Sequence, residues 1–213
     1  GDAGYDFIVD SFVSGRATDG RVPGGWDTGD WTTEEPWLTE CTDATHPPED
    51  SSWHGTHVAS TAGAELTNNA RGMAGIAHGA KILPVRVLGH CGGYDSDIND
   101  AIVWAAGGHV DGVPDNTHPA KVINLSLGGP GTCKAKDPAA QAVAAANALG
   151  AVVVVAAGNE DIDASKTSPA SCPGVITVAS TGITSRRAFY SNCGKAVAIA
   201  APGVGVYAND SDS

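Results

Sequence analysis

The segment at residues 54–60 (HGTHVAS) is the part of this sequence whose residue types most strongly indicate a catalytic role. An imidazole titrates near neutral pH, so a histidine such as His54 at the mouth of a cleft can act as a general acid or base. A zinc protease helix would instead need Glu directly after the first His and a second His four residues later. Here Gly55 follows His54, and His57 is only three residues away, so the segment does not fit a zinc site.

Two further segments could hold a ligand, because each combines glycine with polar residues directly after an apolar stretch. They are residues 127–129 (LGG) and 157–160 (AGNE). In open parallel sheets, ligands bind beyond the carboxyl ends of the strands. If the apolar stretches before them are parallel strands, both segments lie where a binding site is expected.

The apolar pattern predicts such strands, alternating with helices, along residues 54–203. Strands are predicted at 80–88, 121–127, 151–156, 175–179 and 197–200, and helices at 96–106 and 138–149. This alternation predicts an α/β fold of three layers, with a mostly parallel central sheet flanked by helices. The stretches 80–88 and 151–156 are predicted to be buried, the latter on both faces because it lacks polar alternation. No linker divides the chain, so we expect one domain over residues 1–213.

Composition excludes several classes of partner. The chain has 24 acidic and 12 basic residues and a net charge of −12, which argues against nucleic-acid binding. No apolar run is long enough to span a membrane. The five cysteines form no C-x-x-C pair, and their wide spacing suits disulfides in an oxidising compartment. We expect Cys41–Cys91 and Cys133–Cys172, with Cys193 free or paired outside this chain; five reduced thiols are the alternative.

The segment 54–60 closely resembles the histidine motif of the subtilases, the subtilisin-like serine proteases. The resemblance continues in the family's order through residues 72–77, 124–129, 155–160, 168–170 and 201–203. It implies a secreted bacterial serine endopeptidase that cleaves proteins through an Asp–His–Ser triad and an acyl-enzyme.

The resemblance also implies a role for each matching residue. His54 would be the general base of the triad, and the side-chain amide of Asn159 would donate to the oxyanion. An extended substrate would pair with a strand edge formed by Ser126, Leu127 and Gly128. The primary specificity pocket would be walled by Ala157 and Gly158.

The other two triad residues have no matching segment in these 213 residues. The sequence contains no Gly-Thr-Ser-Met-Ala-like segment for the nucleophile. Asp27 begins an Asp-Thr-Gly sequence like that of the triad aspartate, but the preceding residues 21–26 (RVPGGW) cannot form the required apolar strand. We therefore expect the catalytic Asp upstream and the catalytic Ser downstream, and an isolated fragment without activity. The alternatives are an inactive subtilase-like module that binds peptides and, less well supported because G-x-S-x-G is absent, another α/β hydrolase.

The resemblance implies structural calcium as well. Residues 67–73 resemble a calcium-binding loop of the family in which Asn69 would be the side-chain ligand, although this loop is two residues longer. A second calcium site with oxygen ligands could be formed by Asp10, Asp19, Asp27 and Asp30. The alternative is that these residues lie in a solvated loop. The expected partners are protein or peptide substrates, a prosegment would be a further partner, and the protein is expected to be monomeric.

Overall fold

The computed structural model describes residues 4–64, 74–77 and 79–206. These residues form two compact units, the first ending at Ile98 and the second covering Asn99–Val206. The single domain expected from the sequence stays a prediction. None of the described helices is long and apolar enough to cross a bilayer.

The first unit contains a small sheet and several short helices. Its strands are β1 (Tyr5–Asp6), β2 (Val22–Pro23) and β3 (Val85–Arg86), and its helices are α1 (Ser11–Ser14), α2 (Trp37–Cys41) and α3 (His54–Ala59), the last continuing into a wider turn at Ser60–Ala64. In the sheet, β1 is antiparallel to β2 and parallel to β3. Phe7 and Ile8, directly after β1, are fully buried and form the centre of this unit's core.

The predicted buried strand at 80–88 is wrong in extent and in burial. Only Val85–Arg86 pairs as β3, and residues 80–82 and 84 are exposed. Pro84 has no amide hydrogen, so a strand ladder cannot continue through its nitrogen. Its carbonyl oxygen still accepts a hydrogen bond of 3.1 Å from the backbone nitrogen of Tyr5.

Buried ion pairs hold the sheet of the first unit to the segments around it. The Asp6 carboxylate, 3% exposed, contacts the guanidinium groups of Arg16 and Arg86. Asp97 accepts a 2.9 Å hydrogen bond from Arg21. Removing one partner of such a pair would leave an uncompensated buried charge, at a cost of about 3–5 kcal/mol.

His90 anchors the polar segment that precedes α3. Its fully buried ring stacks on Trp37 with 3.7 Å between ring centroids, and Nδ1 lies 2.6 Å from the carbonyl oxygen of Trp31. The neighbouring Cys91 forms a disulfide with Cys41, at the end of α2. The adjacent residues His90 and Cys91 thus both anchor this segment, one by aromatic stacking and the other by a disulfide.

The second unit is built on a parallel sheet. Helix α4 (Asp95–Ala105) begins just before this unit and is followed by β4 (Val122–Leu125), β5 (Gly129–Pro130), α5 (Pro138–Ala148), β6 (Val152–Ala156), a 3-10 turn (Ala164–Lys166), β7 (Thr167–Ser168), β8 (Val175–Thr181) and β9 (Ile199–Pro202). The main sheet has the order β4-β6-β8-β9, with every neighbouring pair parallel. The predicted α/β class and the alternation of strands and helices are confirmed, with boundaries shifted by a few residues.

Helix α5 shows why the sequence forms this layer. Pro138 occupies its first turn, where a missing amide hydrogen costs nothing, and Gly150 follows its end with a φ of +87°. The residues of α5 that are buried include Val143 and Ala146, and α5 packs against β6.

In β6, however, burial alternates: Val153 is fully buried, whereas Val152 is 43% exposed. The prediction that this strand is buried on both faces is therefore wrong.

Both expected disulfides are present. Cys133 and Cys172 are paired and buried in the second unit, as Cys41 and Cys91 are paired in the first. Cys193 is exposed and unpaired among the described residues. The wide spacing of the cysteines is therefore explained by two long-range cross-links.

Candidate active site

The carboxyl edge of the parallel sheet brings two of the predicted site segments together. Strands β4 and β6 are parallel neighbours in which Leu125 is opposite Val155. The segments after them, residues 126–128 and 157–159, therefore leave the sheet at the same edge. This confirms the position expected from the strand pattern.

A short two-stranded sheet lies beside both segments. In it, β5 runs antiparallel to β7, with Gly129 opposite Ser168. A Cβ atom at Gly128 would lie 3.0 Å from the carbonyl oxygen of Ser168, so the Ser168 backbone would have to move slightly to admit a side chain here. The buried hydroxyl of Thr167 donates 3.2 Å to the carbonyl oxygen of Ala157. The β5–β7 sheet thus fixes the spacing between the segments that begin at Ser126 and at Ala157.

Ser126 itself has a local role in this geometry. Its hydroxyl accepts a 2.9 Å hydrogen bond from the side-chain amide of Asn124. Ser126 and Leu127 are half-buried, and Gly128 is exposed. Residues 126–128 connect β4 to β5, and the exposed Gly128 lies directly before β5.

Asn159 is exposed in the loop that follows β6. The loop begins at Ala157, whose nitrogen donates 2.9 Å to the carbonyl oxygen of Val178, and turns at Gly158, where φ is +104°. The backbone nitrogen of Asn159 donates 3.0 Å to a carboxylate oxygen of Glu160. Its side-chain amide has no hydrogen-bond partner among the described residues, so it is a neutral donor that remains available to a ligand.

A residue that no sequence motif indicates holds this loop. Asn192 is fully buried and forms hydrogen bonds to Ala157, Glu160 and Ile162. These partners lie 30–35 residues earlier in the chain. No spacing rule connects an asparagine to partners so distant in sequence, and a single polar residue carries no other signal of burial.

His54 begins α3 in the first unit and is exposed. Its backbone nitrogen donates 3.3 Å to the Ser52 hydroxyl, which in turn donates 2.6 Å to the carboxylate of Asp30. Trp53, between them, has a left-handed φ of +47°. A chain of hydrogen bonds therefore fixes the first turn of the helix on which His54 lies.

The carboxylates considered for metal binding have separate partners. Asp10 accepts from the nitrogen of Phe12, and Asp19 accepts from that of Ser11. Asp27 accepts from Gly29 and lies 3.4 Å from the Arg86 guanidinium. Across residues 4–64, 74–77 and 79–206, no group of three or more His, Cys, Asp or Glu side chains could hold a metal ion together. Asn69, the ligand expected in the other calcium loop, lies outside the described residues.

Comparison with known proteins connects this geometry to a family. The profile of the subtilase family, Peptidase S8, matches residues 27–213. An extracellular basic protease of Dichelobacter nodosus is 48% identical over 206 residues, which are 95% of this chain and 33% of that protein. An extracellular protease of Xanthomonas campestris pv. campestris is 50% identical over 201 residues, with coverages of 94% and 33%.

Solved structures agree with the sequence comparison. A protease from Pseudoalteromonas arctica superposes with a TM-score of 0.87 and 46% identity, over 98% of this chain and 59% of that chain. A cold-adapted subtilisin-like serine proteinase gives a TM-score of 0.61 and 29% identity, over 97% and 75%. The chain spans about a third of the length of the two extracellular proteases that it matches. Together with the sheet edge described above, these matches show that the chain belongs to the subtilase family.

Proposed function

We propose that the protein containing this chain is a serine endopeptidase that hydrolyses peptide bonds through an Asp–His–Ser triad and an acyl-enzyme. His54 takes the proton of the serine hydroxyl and later gives it to the leaving amine. This role of His54 is supported by its exposed imidazole and by its place at the start of a helix whose first turn is fixed by Ser52 and Asp30. The aspartate and the serine are supplied by residues outside these 213.

The observation that carries the proposal is the free amide of Asn159 at the carboxyl edge of the sheet. In acyl transfer, negative charge develops on the carbonyl oxygen, and a fixed neutral donor stabilises that charge without becoming charged itself. Residues 126–128 leave the sheet at the same edge as Asn159, and an incoming extended peptide pairs with their backbone. Ala157 and Gly158 then form the wall of the pocket for the side chain before the cleaved bond.

We also propose that this protein is secreted and acts on protein substrates outside the cell. Two disulfides support an oxidising compartment, and two of the relatives are named extracellular proteases. Structural calcium at residues 67–73, with Asn69 as a ligand, is part of the same proposal. So are a monomeric state and a prosegment.

A pair of histidines on one helix gives a direct test of the proposed triad. In the full-length protein, His54→Ala should abolish peptide hydrolysis, since removing the triad histidine of a subtilisin lowers kcat by about 10⁶-fold. His57→Ala is the matched control, because His57 is exposed on the same helix three residues later and should leave kcat within about threefold. Equal losses in both variants, or activity without His54, would contradict the proposed role.

The 213-residue chain provides a second test. It contains no Gly-Thr-Ser-Met-Ala-like segment, so a fluorophosphonate probe for active-site serines should not label it, whereas the full-length protein should be labelled once. A labelled peptide from the isolated chain would contradict this expectation. A full-length protein that binds peptides but is never labelled would indicate a binding module instead.

A further inference from the structure

The segment from Tyr190 to Cys193 lies directly against the loop that carries Asn159. Four backbone hydrogen bonds of 2.7–3.0 Å join the two stretches; the donor and acceptor residues are Asp161 to Tyr190, Asn192 to Gly158, Cys193 to Ile162, and Ala164 to Cys193. The loop is therefore supported along most of its length by one continuous stretch of chain.

The side chain of Asn192 adds four hydrogen bonds to this support. Its Nδ2 atom donates 2.9 Å to the carbonyl oxygen of Ala157 and 2.6 Å to a carboxylate oxygen of Glu160. Its Oδ1 atom accepts from the backbone nitrogens of Glu160, at 3.1 Å, and Ile162, at 3.0 Å. A primary amide offers two donor hydrogens and two acceptor lone pairs, so every hydrogen-bonding site of this side chain is used on the loop.

These contacts fix the residues on both sides of Asn159. Gly158 is held through its carbonyl oxygen by the backbone nitrogen of Asn192. Glu160 is held through its nitrogen and its carboxylate, and the same carboxylate oxygen that Asn192 contacts accepts from the backbone nitrogen of Asn159. One oxygen of the Glu160 carboxylate thus links the side-chain amide of Asn192 to the backbone nitrogen of Asn159, whose side chain is the proposed oxyanion donor.

The loop needs such support because its backbone is unfavourable. Gly158 has a φ of +104°, and Asp161 has a φ of +55°, which costs a non-glycine residue about 1–3 kcal/mol. Such conformations persist only where the surroundings fix them. Asn192 is completely buried, so its hydrogen bonds do not compete with water and hold the loop in one arrangement.

We propose that Asn192 is a positioning residue of the active site, which holds the Asn159 amide where the oxyanion forms. This inference rests on the proposed peptidase function. It adds a residue whose four side-chain hydrogen bonds all go to residues 157–162 and that acts through the geometry of this loop. The oxyanion contact is made in the transition state and not in the ground state, so misplacing its donor lowers kcat and leaves KM nearly unchanged.

Two asparagine-to-aspartate substitutions in the full-length protein test this separation. Asn192→Asp keeps the size of the side chain but replaces the Nδ2 donor by an oxygen that faces Ala157 O and the Glu160 carboxylate. Since displacements of about 1 Å at a reacting group cost about 10²-fold, we expect kcat to fall by about 10- to 100-fold, with KM within about threefold. Asn116→Asp is the matched control: its Nδ2 donates to the carbonyl oxygens of Trp104 and Ala105, away from the Asn159 loop.

The control should lose thermal stability with kcat within about twofold. If Asn192→Asp lowers the melting temperature to a similar degree while kcat stays unchanged, Asn192 is a purely structural brace and the inference is overturned. A rise in KM with an unchanged kcat would also overturn it, because that would indicate a role in substrate binding.

Hydrogen exchange separates this inference from the proposed function. Asn192→Ala removes the acceptor of the Glu160 and Ile162 amide hydrogens, so residues 157–162 should exchange at least about tenfold faster than in the wild-type protein, and Asn116→Asp should not change them. Unchanged exchange would overturn the positioning role even in an active protease. If residues 157–162 exchange faster in Asn192→Ala but the full-length wild-type protein hydrolyses no peptide, the peptidase proposal is rejected. Asn192 then remains the residue that orders the loop.

Discussion

Gly158 and Asn192 depend on one another: a Cβ atom at Gly158 would collide with Nδ2 of Asn192 and would lie 2.6 Å from the Glu160 carboxylate. The glycine also has a φ of +104°, which side chains rarely adopt. The absence of a side chain at 158 is therefore what allows the amide of Asn192 to enter the loop. Two separate physical reasons, backbone conformation and space, require glycine at this position.

We predict that Gly158→Ala destabilises the protein more than a left-handed conformation alone would. Backbone strain contributes about 1–2 kcal/mol, and the collision with Asn192 adds about 1–3 kcal/mol. Gly20→Ala is the matched control, because Gly20 has a φ of +106°, close to that of Gly158, and open space around its Cβ position. Denaturant unfolding of the two variants measures the difference, and equal free energies of unfolding would show that Asn192 does not restrict Gly158.

The sequence predicted that the segments at 126–128 and 157–160 follow parallel strands, but not the contacts that order them. The 157–160 segment and the apolar strand before it are adjacent in sequence, so a local pattern was enough to place Asn159 at the sheet edge. The burial of Asn192 depends on partners 30–35 residues away, which no periodicity reports. The predicted strand at 80–88 failed for a comparable reason: its apolar residues suit a strand, but only Val85 and Arg86 pair with β1, and only the structure shows how few residues find a partner.

His90 should make the protein less stable in mild acid. Burial lowers the pKa of this imidazole from its ordinary value of 6.5, and the charge of Arg86 lowers it further, whereas the Trp31 carbonyl and the carboxylates of Asp30 and Asp27 act in the opposite direction. The unfolded chain takes up a proton near pH 6.5, and the folded chain does so only at lower pH. Stability is therefore complete above about pH 6.5 and is lost as the pH falls from there through the lowered pKa of the folded state.

Melting curves at pH 7.5 and pH 5 check this expectation. His90→Gln should lose less melting temperature between the two pH values than the wild-type protein does, because the variant has no buried imidazole to protonate. The exposed His118 gives a control, and His118→Gln should keep the wild-type pH dependence. A His90→Gln variant that is as acid-sensitive as the wild type would assign the loss of stability to other groups.

The disulfide Cys133–Cys172 should contribute a large part of the stability of the second unit. Its cysteines are 39 residues apart, and a cross-link over a loop of that length stabilises by about 4 kcal/mol in the chain-entropy estimate. Replacing both cysteines by alanine should therefore lower the free energy of unfolding by about 2–5 kcal/mol. Cys193→Ala should have almost no effect, because Cys193 is exposed and unpaired among the described residues. A similar loss in both proteins would indicate that Cys193 is cross-linked elsewhere.

The hydroxyl of Ser52 should matter for catalysis as well as for stability. It accepts from the nitrogen of His54 and donates to Asp30, so Ser52→Ala leaves the first turn of α3 without this contact. Losing a comparable contact at a helix start costs about 0.5–2 kcal/mol. We expect such a loss in thermal unfolding and, in the full-length protein, a fall in kcat of about tenfold from a less firmly placed imidazole. Ser51→Ala is the control, because among the described residues the Ser51 hydroxyl forms a hydrogen bond only with the Asp30 nitrogen, at 3.2 Å, and none with His54. If Ser51→Ala and Ser52→Ala lower kcat equally, the general order of this segment controls activity, and the hydrogen bond to His54 has no separate effect.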